Sequence, residues 1–186
     1  MLSKLFGALV AAAIVAAVLS SSPGAAPAGC NVRARVPWLI VSGRALVAEA
    51  MSDGPTCVNA VVTLVVRNAA GQPIWTDSRI GSQVMIFAGV SNARDMARNL
   101  KDWLDQRRSA LPRTDALPDW PMGAPSPTAG EFPFYPDGDV GRETYVKLRN
   151  AKLPLFCYVQ GMESMACVAL TGDGRMTKVG VQSFPG

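Results

Sequence analysis

Hydrophobic positions in the first half of the chain follow a pattern typical of β-strands. They are rich in β-branched and small apolar side chains, which fit a pleated, half-buried surface. Turn-forming residues separate these runs: residues 51–55 have a turn composition, and Gly71 ends a hairpin loop in which positive φ is needed. We therefore expect an antiparallel meander. Its strands are predicted over residues 39–50, 58–67, 73–79 and 82–87.

A helical spacing replaces this pattern after residue 90. Apolar residues between Ala93 and Leu104 recur three and four positions apart, which places them on one stripe of an amphipathic helix. Ser91 or Asn92 can cap its N-terminus. Arg107 and its neighbour complement the helix dipole at the other end. The pattern predicts one helix over about 91–109 that lies on the sheet.

The segment 111–141 has a different character. It contains seven prolines, which exclude regular structure over its length. A loop of this length inside a compact domain is usually functional or disordered. The aromatic residues favour an ordered loop that packs on its own domain or on a partner. We therefore treat four of them as candidate binding residues: Trp120, Phe132, Phe134 and Tyr135.

The last 45 residues predict a second meander. Residues 144–149 (TYVKLR) alternate between polar and apolar positions, as a half-buried strand does. Residues 155–160 and 164–170 flank a three-residue loop that begins at Gly161, which indicates a hairpin. A final strand over 176–184 follows a Gly-Asp-Gly turn.

The hairpin register predicts a disulfide. A loop over residues 161–163 places Cys157 directly opposite Cys167. Opposed residues in an antiparallel pair have Cα atoms about 4.5–5.5 Å apart, and a disulfide accepts about 4.4–6.8 Å. This pairing leaves Cys30 to bond Cys57. The fold class we expect is α+β: two β-meanders, one helix, a long Pro-rich loop and two disulfides.

The first 28 residues are typical of a secretory signal. Lys4 precedes an uncharged apolar run over residues 5–19, and residues 26–28 form an A-x-A cleavage site. The run is shorter than the roughly 20 residues of a membrane span. We expect cleavage after Ala28, leaving residues 29–186 as a single periplasmic or secreted domain without a transmembrane helix.

A competing interpretation is a membrane-anchored lipoprotein. The sequence Ala28-Gly29-Cys30 resembles the end of a bacterial lipobox, in which Cys30 would carry lipid. Pro27 departs from that motif, which normally has leucine there. The even number of cysteines favours disulfides, because acylation of Cys30 would leave one of the other three unpaired.

The amino-acid composition excludes several kinds of binding and catalysis. The net charge is only +4, and the basic residues form no block that would indicate a nucleic-acid binder. The chain has no histidine, which removes Ser–His and Cys–His catalysis and the commonest metal ligand. We expect neither a metal nor a cofactor. The densest acidic cluster, Asp137, Asp139 and Glu143, departs from a calcium loop but could support glycan hydrolysis by paired carboxylates.

These observations predict a non-catalytic exported protein of the cell envelope that binds a protein or polymer partner. Glu163, at the predicted hairpin tip, joins the four aromatic residues as a candidate contact. Two alternatives stay open: a histidine-free hydrolase that uses the acidic cluster, and a structural lipoprotein anchored through Cys30. No motif in the chain assigns it to a family.

Overall fold

A computed structural model describes residues 29–41, 43–128 and 130–184. The predicted signal sequence, residues 1–28, lies outside the described residues. Within them the chain forms two four-stranded antiparallel sheets, two α-helices and two disulfides. The α+β class with two meanders is therefore confirmed. None of the described helices combines the length and the apolar character needed to cross a membrane.

The first sheet is a simple meander in which each strand pairs with the next. Its strands are β1 (Val32–Val41), β2 (Arg44–Asp53), β3 (Val61–Arg67) and β4 (Pro73–Ile80). The run predicted as strand-like over 39–50 contains the end of β1 and the start of β2, which pair with each other, and β2 continues through residues 51–53 of the predicted turn at 51–55. Since β2 pairs with β3 only from Val47 onward, the hairpin tip projects beyond β3 as a two-stranded ribbon.

The second sheet contains the C-terminal meander and one added strand. Its order is β5, β8, β7, β6. The strands are β5 (Phe134–Pro136), β6 (Leu155–Val159), β7 (Ser164–Leu170) and β8 (Met176–Ser183). The predicted hairpin register is correct, because Cys157 pairs with Cys167. The Pro-rich segment was predicted to lack regular structure, and β5 shows that this prediction is wrong for Phe134–Pro136, where proline is tolerated because the strand lies at the sheet edge.

Two helices cover these sheets. The first, α1 (Ala93–Trp103), begins where predicted, and the Asn92 side chain accepts a hydrogen bond from the Asp95 amide at 2.9 Å. It ends earlier than expected, and a separate 3-10 turn follows at Gln106–Arg108. The second, α2 (Arg142–Asn150), lies where a strand was predicted over 144–149, so that prediction is wrong.

The predicted strand over 82–87 is also wrong. Two 3-10 turns occupy this stretch, at Gly81–Gln83 and Met85–Phe87. Val84 and Phe87 are buried, and their spacing of three residues matches the 3-10 repeat. The apolar residues therefore enter the core from one side of a turn.

The second sheet separates two hydrophobic cores. Its Phe156 and Tyr158 face β2, β3 and α1 in the first core. Its Cys157 and Cys167 face the opposite way, into a second core with Tyr145 of α2 and residues of the Pro-rich segment. The molecule therefore has a layered arrangement in which β6 and β7 are buried on both faces.

Both predicted disulfides are formed. Cys157–Cys167 crosses the second sheet, with Cα atoms 4.1 Å apart. Cys30–Cys57 ties the start of the described chain to the turn before β3, with Cα atoms 4.8 Å apart. Because this bridge uses the Cys30 sulfur, lipid on that sulfur and the bridge exclude each other.

Candidate binding cleft

Two of the predicted binding residues are part of the second core. The Phe134 side chain is 2% exposed, and its ring lies 6.1 Å from that of Tyr145. Trp120 is half-buried, packs edge-on against Tyr145 at 5.4 Å, and donates its indole N–H to the Ala124 carbonyl at 2.9 Å. Packing on the domain, one of the two predicted alternatives, accounts for both residues.

The other three predicted residues are at the surface. Phe132 is 45% exposed and Tyr135 56% exposed, and Glu163 is exposed at the hairpin tip. The Phe184 amide donates to the Glu163 carbonyl at 3.1 Å, and the Gln182 amide group donates to the Phe132 carbonyl at 3.3 Å. The end of β8 thus brings Phe132 and Glu163 to the same end of the second sheet.

The acidic cluster is spread over the β5–α2 connection. Asp137 forms an ion pair with Lys178 at 2.8 Å, Glu143 pairs with Lys147 at 2.7 Å on the surface of α2, and Asp139 is exposed. Across the described ranges no group of three or more acidic or cysteine side chains could hold a metal ion. The two paired carboxylates are therefore engaged by lysines.

A cleft of about 560 Å³ lies beside the start of β6, among the described residues. Residues 36–39 of β1 form one wall, and seven residues between Lys101 and Ser109, from the end of α1 through the 3-10 turn, form the other. Pro112, Pro154 and Leu155 complete its lining. Three segments that are distant in sequence thus meet around one cavity.

Trp38 is the aromatic residue of this cleft. It lies where the register between β1 and β2 shifts, between Pro37 and Leu39. Its ring meets Phe156 of β6 edge-on, with centroids 5.3 Å apart. The half-buried indole is therefore held by the first core on one side and borders the cleft on the other.

Gln106 fixes the opposite wall to the second sheet. Its amide donates to the Cys157 carbonyl at 2.9 Å and accepts from the Cys157 amide at 3.1 Å. Gln160 and Ser164 form a hydrogen-bonded pair at the end of the β6–β7 hairpin. Because hydrogen-bonded and non-hydrogen-bonded pairs alternate along antiparallel strands, Cys157 lies in a non-hydrogen-bonded pair. Its backbone N–H and C=O therefore point away from β7, towards the free edge of β6. Gln106 occupies the place of a neighbouring strand there.

Other residues hydrogen-bond the free edge of β6 on both sides of the Gln106 contact. Trp103 donates its indole N–H to the Val159 carbonyl at 2.8 Å. The Leu155 amide donates to the Pro112 carbonyl at 3.0 Å. The free edge of β6 is thus occupied by Trp103, Gln106 and Pro112, of which Gln106 and Pro112 line the cleft.

The rim of the cleft carries balanced charge. The Arg107 guanidinium donates two hydrogen bonds of 2.8 Å to the Asp105 carboxylate, and these bonds raise the pKa of Arg107. Lys101 and Asp102 line the cleft from the exposed end of α1. Two basic and two acidic side chains therefore face the same cavity.

Comparisons with protein-family models, curated proteins and solved structures give no match. The fold and the cleft therefore carry the functional interpretation. Sequence patterns did not single out Trp38 or Gln106, because nothing in the local spacing indicates that β1, the end of α1 and β6 meet.

Proposed function

We propose that this chain is an exported, non-catalytic protein of the cell envelope that binds a protein or polymer partner in the Trp38 cleft. The cleft itself is the observation that supports this function. Its volume of about 560 Å³ falls within the roughly 300–1,000 Å³ of ligand sites, which are mostly apolar with a few placed polar groups. Trp38, three prolines and the charged rim provide that composition.

Export is supported by two independent features. The N-terminal pattern is that of a secretory signal, and the described chain contains two disulfides. Disulfides form and persist in oxidising compartments and are rare in the cytosol. Both features support the proposal of a periplasmic or secreted location.

The cleft is a better candidate for the binding site than the Pro-rich segment. The two most deeply placed aromatic residues of that segment, Phe134 and Trp120, are used for packing. Phe132 and Tyr135 are exposed on a sheet edge, where single apolar side chains are ordinary surface features. Trp38 instead borders a cavity that has walls on two sides.

A comparison of two aromatic variants tests the proposal. The purified exported protein would be immobilised and exposed to solubilised envelope material, and the retained partner quantified. Trp38→Ala should reduce retention at least tenfold, because aromatic anchors in pockets dominate binding energy. Tyr135→Ala is the matched control, since it removes an exposed aromatic ring elsewhere and should retain the partner.

The opposite pattern would reject the cleft. Retention that survives Trp38→Ala and is lost in Tyr135→Ala would return the site to the Pro-rich segment. Trp38→Phe distinguishes lost binding from lost folding, because it keeps an aromatic contact with Phe156. That variant should have a near-wild-type denaturation midpoint and an intermediate retention.

A further inference from the structure

We propose that the partner is a neutral carbohydrate polymer, one sugar ring of which lies against the exposed side of Trp38. This inference rests on the proposed function and names its ligand class. The inference is based on the position of the Trp38 indole in a cleft whose lining includes equal numbers of acidic and basic side chains.

The indole provides the apolar contact that a sugar ring requires. A pyranose has one face that consists mainly of C–H groups, and burial of apolar area against a flat aromatic ring is favourable. Trp38 is the single aromatic among the described residues that line the cleft. Its edge-on contact with Phe156, with ring centroids 5.3 Å apart, restricts the movement of the indole before a ligand binds.

The rim provides the polar contacts. Each sugar hydroxyl can donate one hydrogen bond and accept others, so a sugar site needs both acceptors and donors. Asp102 supplies carboxylate oxygens and Lys101 supplies ammonium hydrogens from exposed positions on α1. The Asp105–Arg107 ion pair contributes both kinds of group.

The charge balance indicates a neutral ligand. Two cations and two anions line the cleft, so an anionic or cationic polymer would meet a like charge beside each opposite one. Like-charge contacts weaken binding of the wrong partner. An uncharged, hydroxyl-rich chain encounters no such repulsion.

Peptide partners fit the cleft less well. An extended peptide that added to β6 would need the backbone groups that Gln106, Trp103 and Pro112 already occupy. A proline-rich peptide docks in grooves lined by several aromatic residues, whereas this lining contains one. These two observations favour carbohydrate over polypeptide.

Calorimetric titration of the exported protein would test the ligand class. The probes are three neutral tetrasaccharides: β-1,4-linked N-acetylglucosamine, β-1,4-linked glucose and α-1,4-linked glucose, each at millimolar concentration. At least one should bind, with an affinity that changes little between low and high salt, because no net charge is neutralised. Decaproline serves as the peptide probe.

Variants then assign the binding to the cleft. Trp38→Ala should lower the affinity for the bound sugar at least tenfold, and Tyr135→Ala should leave it unchanged. Asp102→Asn and Lys101→Gln replace exposed groups that folding does not require, and each should weaken binding severalfold. Lost binding in these two variants cannot be attributed to unfolding if their denaturation midpoints match that of the wild type.

The outcomes separate this inference from the proposed function. Trp38-dependent binding of decaproline with no binding of any tetrasaccharide would overturn the carbohydrate inference and retain the cleft as a binding site. Failure of all three sugars to bind, with Trp38-dependent retention of envelope material, would also overturn it. Loss of Trp38 dependence in the retention assay would overturn the proposed function itself.

Discussion

Gly180 shows how one residue positions the Pro-rich segment. A Cβ at this position would lie 2.6 Å from Cε1 of Phe134 and would also contact the Tyr135 carbonyl oxygen. Because glycine has no side chain, β5 can pair with β8 while the Phe134 ring packs directly over the backbone. The bare backbone therefore allows a segment with seven prolines to join the second sheet.

We expect Gly180→Ala to destabilise the protein. Overpacking of a tight core typically costs about 1–3 kcal/mol, and here both neighbours belong to a paired strand that has little freedom to shift. Chemical denaturation would measure the loss. Gly138→Ala is the control, since no atom lies within 4 Å of its added methyl group. Equal midpoints for the two variants would contradict this account of Gly180.

Tyr158 links the two sheets through a buried polar contact. Its hydroxyl donates to the Asp77 carboxylate at 2.9 Å and accepts from the Trp75 indole N–H at 3.1 Å. Burial, with the negative charge of Asp77 nearby, raises the pKa of Tyr158 well above its ordinary value. The folded protein therefore keeps this proton at a pH where the unfolded chain releases it.

Stability should consequently fall in alkaline solution. Below the unfolded-state pKa of about 10, Tyr158 is protonated in both states and adds no pH dependence. Above that pH the unfolded state binds fewer protons, so the free energy of unfolding falls by up to about 1.4 kcal/mol per pH unit. Urea midpoints measured across this range should fall more steeply for the wild type than for Tyr158→Phe. Parallel slopes would contradict the assignment.

At the scale of elements, the last residue of α1, Trp103, anchors the helix to the rest of the fold. Trp103 is 3% exposed, its ring meets that of Phe87 at 5.1 Å, and its indole N–H bonds β6. The helix therefore stabilises the first core and the edge of the second sheet together.

Trp103→Ala should cost about 3–5 kcal/mol, as large-to-small changes at buried tryptophan do. The matched control on the same helix is Arg94→Ala, since Arg94 is exposed and should change the midpoint little. A denaturation midpoint that is unchanged in Trp103→Ala would contradict the placement of α1.

Sequence patterns predict elements well where local chemistry alone determines them. The Gly161 loop set the β6–β7 register, and that register correctly placed Cys157 opposite Cys167. The sequence of residues 144–149 is compatible with either a helix or a strand. Tyr145 and Leu148 lie on one helical face. The β-branched residues Thr144 and Val146 favour a strand. Burial of Tyr145 in the second core selects the helix, and this tertiary contact has no local signature.

At the scale of the molecule, the start of the described chain and the cleft lie at opposite ends of β1. The Cys30 amide donates a hydrogen bond to the Gly54 carbonyl at 2.8 Å, whereas Trp38 lies eight residues farther along the chain, roughly 26 Å away for an extended strand. The sequence predicted the disulfide at one end from cysteine pairing. It could not predict the cleft at the other end, because the cavity depends on how the ribbon, α1 and β6 pack.

The intact mass of the exported protein should therefore report both processing and cross-linking. Measured without reductant, it should equal residues 29–186 less four hydrogens, one pair for each disulfide. A mass that begins at Cys30 and includes acyl chains would identify the lipoprotein alternative. That result would require the Cys30–Cys57 bridge to be absent.

The contact of Gln106 with Cys157 has a kinetic consequence for whatever enters the cleft. The 3-10 turn at Gln106–Arg108 is already anchored to β6 in the free protein, so this wall need not become ordered when a ligand arrives. Binding to a preorganised site avoids the entropic cost of immobilising side chains. We expect association in a single exponential phase, without a slow isomerisation step, and differences in affinity between ligands should therefore appear mainly in how fast they leave.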